Sequence, residues 1–143
     1  MNDTDFPAEP GWEIYENTSP FSAPFGRMYQ KFEPDGTCKR AFRAKVEHTN
    51  GLGIVHGGML ASFMDALLGT AALRACRTRA LTTSLTTEYL SIARPGNWIE
   101  GSSRVTNLTA SEVYVEGAAC VGARQLIKAQ GVFRIMRARK GRF

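Results

Sequence analysis

Asp65 is the only Asp, Glu, Lys or Arg between Glu47 and Arg74, and it stands in the middle of the most apolar stretch of the chain. Burying an unpaired carboxylate is costly. A sequence that keeps a carboxylate in such a place has a use for it. The alternative is a hydrogen-bonded structural Asp, or a helix that exposes one edge. His56-Gly57-Gly58 lies where a glycine-rich loop enters the same stretch. The first turn of a helix has N–H groups without intrahelical partners, aligned with a dipole that favours negative charge. Glycine lets a ligand approach that backbone closely. Such a terminus can stabilise a carbonyl oxygen that gains charge under attack; a plain glycine turn before a helix is the alternative. Gly57 and Asp65 are eight residues apart, roughly 12 Å along a helix axis. Reacting groups must approach within about 3–3.5 Å. If both groups act on one substrate, the second must come from another subunit. Two such helices packed antiparallel across a two-fold axis predict a homodimer with two composite sites.

The elements that would position these residues follow from pattern. Residues 59–76 contain no proline and are dominated by Ala, Leu and Met, which are good helix formers. The segment is apolar on nearly every side, so a buried helix is expected. Before it, 27–32 and 37–46 read as strands joined by Glu33-Pro34-Asp35-Gly36, a turn in which proline presets φ and glycine accepts positive φ. After it, 81–92, 98–108, 112–121 and 126–137 read as four strands, the first followed by the turn Arg94-Pro95-Gly96-Asn97. Short links predict that these four form an antiparallel meander. Residues 1–24 hold four of the six prolines and read as an irregular opening, with a short extended piece near Trp12 to Tyr15. The result is one α+β domain spanning 1–143, with about six antiparallel strands curled around one long buried helix and a basic tail at 138–143.

Bulk properties exclude several classes. The 143 residues are 43% hydrophobic and 22% charged, which fits one globular domain rather than a disordered chain. No apolar run opens the chain, and the longest one, 59–73, is interrupted by Asp65, short of the about 20 residues of a spanning helix. Neither a membrane nor secretion is therefore expected, and a cytoplasmic location is. Cys38, Cys76 and Cys120 are odd in number and scattered, which argues against a disulfide framework and against a zinc site. The net charge of +5 is uneven: Arg134, Arg137, Arg139, Lys140 and Arg142 crowd the last ten residues, and Arg74, Arg77 and Arg79 follow the apolar stretch. Such charge would attract a polyphosphate or nucleic acid, or simply be solvated and complement a helix C-terminus. No aromatic-basic motif supports a nucleic-acid partner.

The stretch His48-Thr49-Asn50-Gly51-Leu52-Gly53-Ile54-Val55-His56-Gly57-Gly58-Met59-Leu60-Ala61-Ser62-Phe63-Met64-Asp65 resembles the signature of PaaI-type thioesterases, within the 4-hydroxybenzoyl-CoA thioesterase-like superfamily of the hotdog fold. The strand 82–89 and the turn Arg94-Pro95-Gly96 are also similar to that family, and the likeness covers about 12–137. It implies hydrolysis of an acyl-CoA thioester to free acid and CoA, with no metal or redox cofactor, since coenzyme A is part of the substrate. By position, the Gly57 N–H would polarise the thioester carbonyl and Asp65 would act as general base or nucleophile. Asn50 would hold the substrate or the attacking water, His56 would orient the thioester end or the loop, and Thr82 would contact the water near the carboxylate. Asn50 and Gly57 would come from one protomer and Asp65 from its neighbour, in a homodimer or a dimer of dimers. Gly58 would line the substrate, Phe63, Met64 and Leu68 hint at an apolar or aromatic acyl group, and Arg94, Arg134 or Arg137 would meet the CoA phosphates. A non-catalytic acyl-CoA or fatty-acyl sensor would keep the pocket without needing Asp65. A hydratase of the same fold would need a histidine after Asp65, and none follows.

Overall fold

The computed structural model describes residue 7 and residues 9–137; the basic tail 138–143 and the first six residues lie outside them. Seven strands are formed: β1 (Glu13–Glu16), β2 (Arg27–Phe32), β3 (Cys38–Arg43), β4 (Arg79–Tyr89), β5 (Trp98–Leu108), β6 (Glu112–Val121) and β7 (Arg124–Met136). One long helix, α1 (Gly57–Cys76), separates β3 from β4. All strands lie in one antiparallel sheet of order β1-β2-β3-β5-β6-β7-β4. The sheet wraps around α1 in the hotdog arrangement.

The expected hairpin is present. Asp35 Oδ1 accepts the Thr37 N–H at 2.9 Å across the turn, and Gly36 takes φ +91°. The backbone and hydroxyl donors of Thr37 hold the Asp35 carboxyl below its ordinary range.

Three expectations change. There are seven strands rather than six, because the extended piece near Trp12 pairs with β2 from Glu13 to Glu16. The opening segment is thus partly sheet, and a 3-10 turn at Ala23–Phe25 follows it. The meander holds only for β5-β6-β7; β4 pairs with β7, at the far edge. The reason lies in the link 90–97. Its turn closes against β3, with Ala44 N–H donating to Asn97 O and Gly96 N–H donating to Ala44 O. The link therefore carries the chain across the end of α1 instead of folding β4 back on β5. Finally, α1 is buried on one face only. Met59, Leu60, Phe63, Met64, Leu67, Leu68, Ala71 and Ala72 form the buried stripe, in pairs one helical turn apart. Gly58 and Ala66 are exposed, Ser62, Asp65 and Gly69 are half-buried, and Leu73 is 44% exposed. By length and mean hydropathy (1.3) α1 could cross a membrane, but the sheet occupies its apolar stripe.

That stripe sits in a trough of strand glycines. A Cβ on Gly101 would come within 2.7 Å of Leu67 and 2.8 Å of Phe63, and one on Gly131 within 2.7 Å of Phe133 and 3.2 Å of Leu68. A Cβ on Gly117 would lie 2.7 Å from the Ser102 carbonyl oxygen and 2.8 Å from Leu68. Bare backbone on three neighbouring strands lets the large helix side chains reach the sheet. Each side chain so buried stabilises the fold by about 1.5–3 kcal/mol.

One charge is buried with them. Arg40 is 2% exposed. Its Nη2 donates to Thr70 Oγ1 at 2.9 Å and to Gln30 Oε1 at 3.4 Å, and the guanidinium lies 4.0 Å from the centre of the Tyr15 ring. Burial holds its pKa below the ordinary arginine value, and its Nε has no acceptor. Burial likewise pushes the Cys38 thiol up.

Gly117→Ala tests the trough. Its Cβ meets backbone on one side and a packed leucine on the other, so a loss of about 1–3 kcal/mol is expected from overpacking, read by urea denaturation. An unchanged midpoint would show that the helix is not held this closely.

Candidate active site

The loop before α1 is fastened peptide by peptide. Thr49 and Val55 form a β-bridge. Within it, Asn50 N–H donates to Ile54 O, Gly53 N–H donates to Asn50 O, and Leu52 N–H donates to Asn50 Oδ1 at 2.9 Å. The Asn50 carboxamide oxygen is thus spent inside the loop. Its Nδ2 group has no acceptor among the described residues and remains a donor.

His48 ties the loop to the body of the protein. Its Nδ1 accepts the Lys45 N–H at 3.0 Å, its Nε2 lies 2.8 Å from Phe25 O, and its own carbonyl accepts the His56 N–H. These partners require the neutral ring with the proton on Nε2.

His56 is the N-cap of α1. Its Nδ1 accepts the Gly58 N–H at 2.7 Å, which leaves Nε2–H facing outward from an exposed ring. Gly58 is therefore engaged by His56. The Gly57 N–H, one residue earlier, has no acceptor among the described residues, while the Gly57 carbonyl accepts the Tyr89 hydroxyl at 2.7 Å.

Asp65 lies two turns further along α1, half-buried, and its Oδ1 accepts the Thr82 hydroxyl at 2.7 Å. Thr82 owes this contact to a bulge. Strict alternation places Thr82 on the face opposite Leu85 and Tyr89. The β4–β7 register shifts between Thr82 and Ser84, and an extra residue turns the following face over. Thr82, Leu85 and Tyr89 consequently all face α1: Leu85 packs on the core, Tyr89 bonds Gly57, and Thr82 bonds Asp65. Thr83 instead donates to Val132 O.

The other expected residues divide. Phe63, Met64 and Leu68 are 0–1% exposed and packed against the strand glycines; in this chain they are core rather than pocket wall. Arg94 is exposed next to Ala93, whose carbonyl accepts the Val55 N–H, so it belongs to the Gly57 end. Arg134 pairs opposite Leu81. Its neighbour Phe133 faces the core, so Arg134 takes the outer face of the sheet. Arg137 Nη2 donates to Ala110 O at 3.0 Å, at the opposite end of β4 and β7 from Tyr89. Two residues escaped the sequence reading. Tyr89 is one, and Arg124 is the other: it holds the link beyond β4 by donating to Ser91 Oγ at 2.9 Å and to Ile92 O. Nothing in the sequence says which carbonyl either one meets.

The structure therefore brings Asn50, His56, Gly57, Tyr89 and Arg94 to one end of α1, and Asp65 with Thr82 to its middle. Both groups lie beside the open helix stripe and the edge strand β4, where Leu81 is 56% exposed. A hollow of about 470 Å³ on the outer face of the sheet, lined by Ser102, Arg104, Glu116, Lys128 and Gln130, contains none of them. Among the described residues no three His, Cys, Asp or Glu side chains are grouped as a metal would need.

Comparison with known proteins bears on this arrangement. The sequence model of the thioesterase superfamily matches residues 52–127. A protein of Pseudomonas aeruginosa whose name calls it an esterase is 27% identical over 127 residues, 87% of this chain and 95% of its own. Thioesterase superfamily member 2 from zebrafish superposes with a TM-score of 0.77 at 18% identity, over 83% of this chain and 89% of its own. A mutant of the phenylacetic acid degradation protein PaaI from Thermus thermophilus gives 0.73 at 19% identity, over 82% and 100%. A Streptococcus pneumoniae protein described as a hypothetical thioesterase, crystallised with coenzyme A, gives 0.72 at 15% identity, over 78% and 90%. With more than half its length matched and the same sheet around the same helix, this chain belongs to the thioesterase superfamily.

Proposed function

We propose that the protein hydrolyses an acyl-CoA thioester to the free acid and CoA, in a homodimer whose two sites each draw on both protomers. One observation carries the reading: a carboxylate held by a threonine hydroxyl on the open stripe of α1, with an unspent Gly57 N–H on the same helix roughly 12 Å away. The open stripe is small (Gly58, Ser62, Ala66, Gly69), which lets a second helix lie close. An antiparallel copy would bring its Asp65 beside Gly57 and enclose the space between them.

In such a site Asp65 takes a proton from water, and the hydroxide attacks the thioester carbonyl. The oxygen that gains charge faces the Gly57 N–H. The C–S bond then breaks, and the CoA sulfur leaves with the proton. Direct attack by Asp65 to form an anhydride, followed by water, is the other route. Asn50 Nδ2 and His56 Nε2–H are the remaining donors at this end. Arg94 is placed for the CoA phosphates, whereas Arg134 and Arg137 would reach a site only across the two-fold axis. Coenzyme A in the Streptococcus pneumoniae relative supports the substrate class. The reading includes a cytoplasmic location, where the three thiols stay reduced.

Free-thiol release from a panel of acyl-CoAs, acetyl to palmitoyl with phenylacetyl and hydroxybenzoyl, is the direct assay. Asp65→Asn should lower kcat by about 10²–10⁴ and leave the dimer folded by gel filtration and circular dichroism. Near-normal turnover would remove Asp65 from the chemistry, and tight CoA-ester binding without any release would make the protein a sensor.

The composite site has its own test. Gly57 is the first helical residue and His56 before it is extended (ψ 134°), so Gly57→Pro deletes the N–H at a position where proline is accepted. Gly57→Pro and Asp65→Asn should each be inactive alone. Refolded together in equal amounts they should recover about a quarter of wild-type activity, because half the dimers are hybrids with one intact site. No recovery would place the whole site within one protomer.

A further inference from the structure

Arg77 closes α1 in the left-handed conformation, φ 57° and ψ 25°, with its N–H donating to Leu73 O at 2.9 Å. Among the described residues it is the one position other than glycine with positive φ. The chain passes from α1 to β4 through Arg77 and Thr78 alone, and so abrupt a stop calls for a left-handed residue. Glycine is the usual one, because a Cβ crowds the following carbonyl there. A side chain kept against that preference points to a use for the side chain. The helix dipole does not require it. Arg74 already stands in the last turn, with its guanidinium 3.8 Å from the centre of the Phe32 ring. Arg77 is exposed.

An antiparallel dimer gives this position a neighbour. With Asp65 of one protomer beside Gly57 of the other, the partner's chain enters its helix at the level of Asp65. The partner's glycine-rich loop and its Arg94 then lie further along, toward the C-terminus of the first helix. Arg77 stands 12 residues beyond Asp65, roughly 18 Å along the axis. The arm of CoA from the sulfur to the first phosphate has about 13 bonds, roughly 15 Å at the rise of an extended peptide. An arginine side chain spans the remainder. We propose that Arg77 binds the CoA phosphates at the site to which its own chain supplies Asp65, together with the partner's Arg94. The proposal rests on the acyl-CoA thioesterase reading and adds a residue that reading does not use. A guanidinium suits this ligand, since it meets phosphate through two parallel N–H···O bonds.

Arg77→Gly removes the guanidinium and keeps the turn, so the melting temperature should hold or rise. KM for an acyl-CoA should rise about tenfold, as for one lost charge-assisted hydrogen bond, with kcat within about twofold. The same acyl group on pantetheine, which carries no phosphate, should show no such rise. An equal rise on both substrates would mark a merely structural effect and overturn the proposal. Refolded hybrids of Asp65→Asn and Gly57→Pro chains locate Arg77. Their one intact site takes Gly57 from the first chain and Asp65 from the second. Arg77→Gly should raise KM when the Gly57→Pro chain carries it, and leave KM as it was when the Asp65→Asn chain does. The reverse pattern, or unchanged KM in both, would overturn the proposal while leaving the thioesterase intact. Absence of hydrolysis by the wild type, or of recovery in the hybrids, would overturn the composite-site reading and this proposal together.

Discussion

The seating of α1 in a trough of bare strand backbone is the constraint on which the rest of this molecule depends. Phe63, Met64, Leu67 and Leu68 reach the sheet because Gly101, Gly117 and Gly131 present no side chain there. With that face committed, the opposite stripe of the helix must point away from the sheet, and Asp65 lies on it. The same seating sets the height of the helix N-terminus against the end of β4, where Tyr89 meets the Gly57 carbonyl. A helix held further from the sheet would lose the Thr82 contact and the Tyr89 contact together, because both come from one edge strand.

A carboxylate on an open stripe avoids the desolvation that a core position would impose. The cost of buried charge appears elsewhere, at Arg40, which has neutral acceptors, an aromatic face and one unsatisfied N–H. The two charges sit on opposite sides of α1 and have different characters. Arg40 is enclosed by β2, β3 and Thr70 as a fixed part of the packing, whereas Asp65 retains exposure and a single hydroxyl partner. Only the second is accessible to a substrate.

Much of this was legible in the residues, and the failures have physical causes. Isolation of one carboxylate in an apolar run marked Asp65, and paired glycines after a histidine marked the helix start. Helix propensity located α1 to within two residues of its observed start. Alternation misassigned the face of Thr82 relative to Tyr89, since a bulge is a local register choice made by the partner strand β7. Short links suggested that β4 folds back on β5, but the turn at residues 94–97 is used to meet β3. An apolar segment with no clear polar face looked buried all round. Small residues count as apolar in such a reading, yet Gly58, Ala66 and Gly69 on this helix leave a surface open instead of filling a core.

The sequence by itself determined the helix, the strand segments, the carboxylate and the glycine-rich entry to the helix, because these are encoded by residue type and near-neighbour spacing. It also determined that Gly57 and Asp65 cannot meet within one chain, since the rise of a helix is the same whatever surrounds it. Tertiary structure alone decided which face of α1 stays open, which strand lies beside it, and which hydroxyls reach Asp65 and the Gly57 carbonyl. Those contacts join residues 17 and 32 positions apart, and at such separations only the packing of helix against sheet, with the register it imposes on β4, brings two side chains together.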